Sequence, residues 1–521
     1  MKQIYLETFG CQMNVLDSEL VQGQLASLGY TFTPDIDAAQ VVLYNTCSVR
    51  QLSEQKVLSR LGLLKVRKKR EPGLVVGVIG CMAERDGIGM LKRLPHVDLL
   101  CGPSELDKLP ALLENALVTG RQQSALAGNN IRRTKTFDKA AEDGLELLDL
   151  SRTFSPTEAK YQAYIRIVRG CNKFCTYCVV PYTRGPEVSR SPAAILAETR
   201  KLVAAGALEV TLLGQTVNHY VYEEETAASA ADGPVKRRTT FAELLKMLHD
   251  QVPQLPRLRF ITSFPADFGD DILHVMADCP RICRYLHVPA QSGSNRILKM
   301  MNRGYTVEAY LDLLDRARRI VPGIAFAGDI IVGFPTETDA DFQLTRELVE
   351  RARYKNCFIF KYSPRPGTLA IGKYPDDVPD EVKRARNNDV LALQNQICAQ
   401  LNQELVGRTV EVLCEGSSGW KKAEDSIVAG GQAEVVLGPN LGAAMKRPTQ
   451  TWASPDMIQL TGRTRQDQIV VFDGPARTEG QIVKIRVNAA HGLTIFGSLL
   501  ENQTAQIAIE GGEQLALMAG G

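Results

Sequence analysis

The sequence predicts an α/β chain in three parts. They are an N-terminal doubly wound parallel sheet, a central partial barrel of six strand–helix units, and a small C-terminal β-barrel. Three observations carry this. Over residues 1–118 short apolar runs alternate with amphipathic segments. Over 157–398 a longer alternation repeats six times, two units short of a closed eightfold barrel. From about 402 to 500 the helical pattern gives way to short β-runs separated by Gly and Pro turns.

In the first part, strands ending at Phe9, Tyr44, Ile79 and Leu100 are each terminated by small or polar residues. Helices are expected at roughly 15–28, 51–66 and 84–94. Residues 119–156 (TGRQQSALAGNNIRRTKT and onward) are polar and irregular, which predicts a linker. In the second part, strands fall near 161–169, 209–214, 257–262, 285–290, 324–333 and 356–362, with helices such as 191–205, 306–319 and 338–352 between them. The stretch Glu223–Arg238 (EEETAASAADGPVKRR) reads as a loose insertion. In the third part the β-runs are TVEVLC, AEVVLGP, QIVVFDG, GQIVKIRV and LTIFGSLL, with an insertion near 417–455 and a loose Ala-, Gly- and Gln-rich tail over 501–521.

Composition narrows the function classes. The 521 residues carry a formal charge of +2, so phosphate binding would have to come from local patches such as Lys65–Arg70, which reads equally as the solvated end of a helix. There is no long apolar run and no basic–apolar leader, so neither a membrane span nor a secretory signal is expected, and a cytoplasmic setting is. In that setting twelve cysteines point to metal or catalysis rather than disulfides.

Cys171, Cys175 and Cys178 lie in one short stretch, GCNKFCTYC. A cubane iron–sulfur cluster normally takes four thiolates, so three leave one iron open to a substrate or cofactor. The competing chemistries are a zinc site, which needs a closed set of four, and a Cys-x-x-Cys dithiol, which has no use for Cys171. Cys11, Cys47 and Cys81 each follow one of the first three strands. In a parallel sheet those positions share the carboxyl edge, where open α/β folds bind ligands, so they form a second candidate trio. Cys101, Cys279, Cys283, Cys357, Cys398 and Cys414 read as packing residues. Gln215, Asn218, Ser263, Gln291 and Ser292 follow barrel strands and Asp329 lies within one. Singly each reads as a cap or turn residue, and as a set they are the candidate cofactor contacts. The run Gly367–Lys373 imitates a phosphate-binding loop, but Tyr374 stands where a magnesium-binding hydroxyl belongs.

With ETFGCQMN, NTCSVR, GCMAER, GCNKFCTYCVVPYTRG, VPAQSGS, VGFPTET and YSPRPGT in this order, the chain resembles the tRNA methylthiotransferase family of radical S-adenosylmethionine enzymes from residue 2 to roughly 500. Residues 11–14 and 45–50 look like the branch that converts N6-isopentenyladenosine to its 2-methylthio derivative. The resemblance implies two [4Fe-4S] clusters, an auxiliary one on Cys11, Cys47 and Cys81 and a radical-generating one on Cys171, Cys175 and Cys178. It implies S-adenosylmethionine at the open iron, with Gln215, Asn218, Ser263, Gln291, Ser292 and Asp329 as its candidate contacts. It further implies an RNA-binding module of the TRAM type at the C-terminus, with Arg463 and Arg465 as candidate phosphate contacts. The expected partners are a tRNA carrying isopentenyladenosine in its anticodon loop and an electron donor of the flavodoxin or ferredoxin kind, the enzyme acting as a monomer away from membranes. Where the family carries a basic tract after TRG, this chain has Pro186–Arg190, which predicts weaker phosphate contact. The alternatives are methylthiolation of threonylcarbamoyladenosine or of a ribosomal-protein side chain and, outside enzymes, an iron–sulfur RNA-binding redox sensor.

Overall fold

A computed structural model describes residues 2–48, 51–128, 139–152, 154–156, 158–226, 235–418 and 456–500. The chain forms two compact units, Met1–Leu393 and Gln394–Gly521.

The first unit opens with six parallel strands: β1 (Gln3–Thr8), β2 (Thr31–Phe32), β3 (Val41–Thr46), β4 (Val75–Gly80), β5 (Leu99–Cys101) and β6 (Gln123–Ala125). They lie in the order β2-β1-β3-β4-β5-β6. Both faces of β3 and β4 are buried, which is why VVLYNT and VVGVIG read as continuous apolar runs rather than alternating ones. Helices α1 (Gln12–Ser27) and α5 (Leu109–Thr119) cover one face through Leu16, Leu20, Leu109 and Leu113. Helices α2 (Gln51–Arg70), α3 (Cys81–Asp86) and α4 (Ile88–Arg93) cover the other through Val57, Leu61, Met82 and Met90. The predicted doubly wound sheet is therefore present. Its direction of winding reverses between β1 and β3, the switch point at which such folds bind ligands.

The expected linker is ordered where it is described. Strand β6 extends the sheet, and helix α6 (Lys139–Ser151) sends Leu145 and Leu148 into the core. Its polarity misleads because Glu146 and Asp149 face buried arginines instead of water.

Six parallel barrel strands follow as predicted, in two groups of three: β7 (Gln162–Arg166), β10 (Glu209–Leu213) and β13 (Arg257–Phe260), then β14 (Tyr285–His287), β15 (Ala325–Val332) and β16 (Asn356–Lys361). A bridge between Leu258 and Ile282 and the bond from Ser263 N to His287 O, 2.9 Å, join the groups. Between them come the small pair β8 (Val168–Arg169) and β9 (Val188–Ser189) and helices α7 (Val180–Thr183), α8 (Pro192–Ala204), α9 (Phe241–Gln251) and α10 (Asp270–Asp278). Helices α11 (Asn295–Met300), α12 (Val307–Ile320) and α13 (Asp339–Ala352) lie in the second half, and α14 (Leu369–Lys373) and α15 (Asp380–Gln403) close the region. The starts of α8, α12 and α13 are set by Ser191, Thr306 and Thr338, whose side chains accept from backbone N–H groups of the first turn.

The expected loose insertion is corrected at its ends. Strands β11 (Val221–Thr226) and β12 (Val235–Thr240) form an antiparallel pair that sets Glu223 opposite Arg238 and Glu224 opposite Arg237. Opposite charges across a strand pair stabilise it, so a run that looks merely polar encodes a hairpin. Residues 227–234 lie outside the described residues.

The second unit is a closed barrel of β17 (Thr409–Ser417), β18 (Met457–Thr464), β19 (Ile469–Pro475), β20 (Ile482–His491) and β21 (Thr494–Leu499), ordered β17-β18-β19-β21-β20. Val412, Cys414, Leu460, Val470, Phe472 and Ile485 fill it. The expected run AEVVLGP, most of the 417–455 insertion and the 501–521 tail lie outside the described residues.

Candidate cluster and cofactor site

Cys11, Cys47 and Cys81 stand just beyond β1, β3 and β4, at the carboxyl edge where the strand pattern places them. The residues beside them explain how three loops are held together. Asn14 Nδ2 donates to Asn45 Oδ1 at 3.0 Å and to Thr46 O at 3.1 Å, while Asn45 Nδ2 donates to Asn14 O at 2.8 Å. Glycines precede Cys11 and Cys81 because there is no room for a side chain: a Cβ on Gly10 would lie 2.7 Å from Cys47 Cβ, and one on Gly80 2.5 Å from Asn45 Oδ1. The Cys11 thiol is pulled down to about 6, chiefly by its hydrogen bond with Cys47, with Arg184 acting in the same direction against burial. Burial pushes the Cys81 thiol up, and Arg184 beside it opposes that. Cys101, on the next strand, is different: its Sγ donates to Glu105 O at 3.1 Å, in keeping with a packing role.

The central trio is built on a loop pinned from two sides. Cys171 N donates to Gly185 O at 3.1 Å and Thr176 N to Met301 O at 3.0 Å. Asn302 Nδ2 reaches the carbonyls of Lys173 and Phe174, at 3.3 and 3.1 Å. Cys171 and Cys175 are buried and Cys178 is half-buried. Burial pushes Cys171 up to about 12, and Cys178 rises further because burial is joined by the charges of Cys175 and Cys171. With burial the first cause of both shifts, Cys171 and Cys178 ionise only when a cationic group sits beside them, as the iron of a cluster does. Among the described residues no three His, Cys, Asp or Glu side chains converge closely enough to hold one metal ion. A cubane binds one thiolate per iron and so suits a wider triangle than a lone zinc, whose thiolates all lie about 2.3 Å from one centre. The donor set of each trio fits a cluster.

Two arginines that the sequence did not single out reach the sheet-edge trio. Arg184 caps α7, six residues beyond Cys178, and its guanidinium donates to Asp17 Oδ2 of α1 at 2.8 Å while lying beside Cys81 and Cys11. Arg365, beyond β16, pairs with Glu54 of α2 at 3.1 Å and feels the charge of Cys47. The barrel rim thus delivers two cations to the carboxyl edge of the sheet.

The six candidate cofactor contacts separate. Ser263 Oγ is buried with no partner among the described residues, and the half-buried Gln215 amide makes no bond among them either. Gln291 is held at φ 75° by backbone bonds to Asp329 and Ile331. Asp329 Oδ1 lies 3.4 Å from His287 Nε2 and faces the barrel interior, since Phe326 and Gly328 on the opposite face of β15 meet Arg318 and Tyr354. Asn218 clamps the backbone of Phe264 with both ends of its amide, at 2.9 and 2.7 Å. Ser292 turns to Thr345 of α13 at 3.4 Å. These last two side chains are engaged in holding the rim together. A chain of charges that single-residue reading missed runs beside them: Glu187 to His219 at 3.6 Å, His219 to Asp267 at 2.6 Å and Asp267 to Lys173 at 2.8 Å.

The expected RNA contacts are largely occupied within the fold. Arg67 binds the carbonyls of Ile36, Asp37 and Ala39, and Lys68 pairs with Asp98. Arg190 of the Pro186–Arg190 tract is buried against Glu198 at 2.7 Å and Glu146 at 2.5 Å, so the tract is internal structure and says nothing about phosphate contact. Arg463 pairs with Glu415 and Asp467, and Arg465 with Glu411.

Residues 3–102 match the Uncharacterized protein family UPF0004 and residues 165–349 the Radical SAM superfamily. The tRNA-2-methylthio-N(6)-dimethylallyladenosine synthase of Rhodopirellula baltica is 43% identical over 511 residues, 98% of each chain. The synthase of the same name from Bacteroides thetaiotaomicron is 40% identical over 95% of this chain and 96% of its own. Among solved structures, the radical S-adenosylmethionine methyltransferase TsrM of Kitasatospora setae, with tryptophan and aza-SAM bound, covers 80% of this chain and 79% of its own at a TM-score of 0.50 and 14% identity, a likeness of fold. A chain with both cysteine trios in place and near-complete alignment at this identity belongs to the tRNA-2-methylthio-N(6)-dimethylallyladenosine synthase family of radical SAM enzymes.

Proposed function

We propose that this chain methylthiolates carbon 2 of N6-isopentenyladenosine in the anticodon loop of tRNA, using S-adenosylmethionine and two [4Fe-4S] clusters. The observation that supports the reading is the position of Cys11, Cys47 and Cys81 just beyond three neighbouring parallel strands, with Arg184, from the chain just after Cys178, beside Cys11 and Cys81. Cys171, Cys175 and Cys178 would hold one cluster and Cys11, Cys47 and Cys81 the other. Bound there, the clusters and S-adenosylmethionine supply the one-electron chemistry and the sulfur that an unreactive aromatic C–H bond requires.

The chain's own part is placement and charge. Arg184 and Arg365 bring positive charge to the sheet-edge thiolates and favour their ionised form. Ser263 Oγ and the Gln215 amide offer unfilled hydrogen-bonding capacity at the rim to the cofactor. Asp329, His287 and the exposed ring of Phe358 face the barrel interior and present an acceptor, a donor and a stacking surface to the base. An anticodon-loop base can be splayed out without opening a duplex, so the enzyme need not melt its substrate. The reading carries with it a flavodoxin- or ferredoxin-like electron donor, action as a monomer, and the cytoplasmic setting in which tRNA resides. In support, no helix among the described residues is long and apolar enough to cross a membrane.

The test is nucleoside mass spectrometry of tRNA from a strain lacking the gene. Loss of 2-methylthio-isopentenyladenosine with accumulation of isopentenyladenosine is expected, restored by the wild-type gene and not by Cys171→Ala. An unchanged profile of that nucleoside would refute the reading.

A further inference from the structure

Arg303 is a buried cation with an unusual set of partners. Every other buried arginine described has a carboxylate within 4.0 Å: Glu19 for Arg152, Asp17 for Arg166 and Arg184, Glu209 for Arg257, and corresponding acids for the rest. Arg303 has none. Its Nη1 donates to Cys175 Sγ at 3.3 Å, its Nη2 to Pro289 O at 2.9 Å, and its Nε to Tyr305 Oη at 2.9 Å. The rings of Phe264 and Tyr305 lie against the guanidinium, 4.7 and 5.2 Å from their centroids. A guanidinium withdrawn from water without an anion is strongly destabilising, so the site is built for negative charge at Cys175.

We infer that Arg303 is a positioning residue that raises the reduction potential of the cluster held by Cys171, Cys175 and Cys178. This rests on the cluster assignment above and adds to it. Taking up one electron from a low-potential donor makes a cluster one charge more negative. A cation donating a hydrogen bond to a ligating sulfur stabilises the reduced form more than the oxidised one. The same guanidinium ties Cys175 to the carbonyl of Pro289, two residues before Gln291, and so couples the cluster loop to the strand end where the cofactor is expected. Aromatic walls in place of water keep the effective dielectric low and the effect undiluted.

The experiment uses the full chain, anaerobically reconstituted with iron and sulfide, in a Cys11→Ala/Cys47→Ala/Cys81→Ala background so that one cluster is read. Midpoint potentials are measured by redox titration followed by electron paramagnetic resonance in this parent, Arg303→Lys and Arg303→Met, with iron content and melting curves for each. The expected result is full iron content with a midpoint shifted to more negative values in Arg303→Met and a smaller shift in Arg303→Lys, which keeps the charge but cannot span all three acceptors. Should Arg303→Met fail to fold or load iron, Arg303→Lys decides alone by the sign of its shift. A midpoint equal to the parent's in an iron-loaded variant overturns the role of Arg303 and leaves the cluster assignment standing. A parent that takes up no iron overturns both.

Discussion

Gly170 shows how tightly single residues control the cluster loop. Its φ is +66°, and a Cβ there would lie 2.0 Å from Pro186 O and 2.4 Å from Gly185 O, both backbone atoms of the segment that leads into β9. Gly170→Ala is therefore expected to cost more than the ~1 kcal/mol of an incompatible backbone alone and to displace Cys171. A lowered melting temperature together with reduced iron uptake would show it; a variant matching wild type in both would contradict the geometry. The cysteines themselves were legible because spacing encodes them. The amide lock of Asn14 and Asn45 was visible only as neighbouring letters in CQMN and NTC, since nothing in a linear sequence says that a residue at the start of one helix and one at the end of a strand exchange hydrogen bonds. Arg184, Arg303 and Arg365 were illegible for the same reason: an arginine in a loop looks solvated until the fold removes the water.

At the scale of elements, helix α6 is docked by charge as well as by leucine. Asp149 accepts from Arg166 at 2.7 Å and from Arg169 at 2.6 Å, and Arg166 also donates to Asp17 of α1 at 3.1 Å. Burial pushes the Asp149 carboxyl up, but Arg166, Arg190 and Arg169 more than offset it and hold it well below the usual carboxylate range. A carboxyl depressed in the folded state contributes stability that is complete above its unfolded value of about 3.9 and is lost as pH falls towards the folded one. Asp149→Asn leaves three buried guanidinium groups short of an anion and is expected to cost about 3–5 kcal/mol at neutral pH. The gap between wild type and variant should narrow below about pH 4, as denaturant unfolding across pH will reveal. This lattice is why 119–156 reads as a linker. Polarity normally marks solvent exposure, and here it marks a buried ionic contact.

At the scale of the molecule, two units with separate cores imply separable losses. Val412, Leu460, Phe472 and Ile485 close the C-terminal barrel upon itself, and no residue of either cysteine trio lies in that unit. A chain ending at Gln403 is expected to keep the iron content of the full chain and to bind tRNA at least tenfold more weakly, measured by filter binding at fixed salt. Equal affinity would relocate RNA recognition to the first unit. Outside 119–156 and the Glu223–Arg238 hairpin, the alternation of strands and helices was legible in the first unit because burial on one or both faces writes itself into hydrophobic period. Strand β18 was not, since Met-Ile-Gln-Leu-Thr-Gly-Arg-Thr mixes its polarity and gains its place from pairing with β17 and β19.

The junction between β17 and β18 has a practical consequence. Ser417 is in register with Leu460, and Ser418 N donates to Gln459 O at 2.8 Å, so pairing of the two strands holds to the last described residue beyond β17. The entropy of closing a flexible connection between two paired strands grows only with the logarithm of its length, about 0.6 kcal/mol per doubling. Genetic engineering could thus splice a fluorescent reporter or an affinity handle between Ser418 and Asp456 and leave the pairing of β17 with β18 intact.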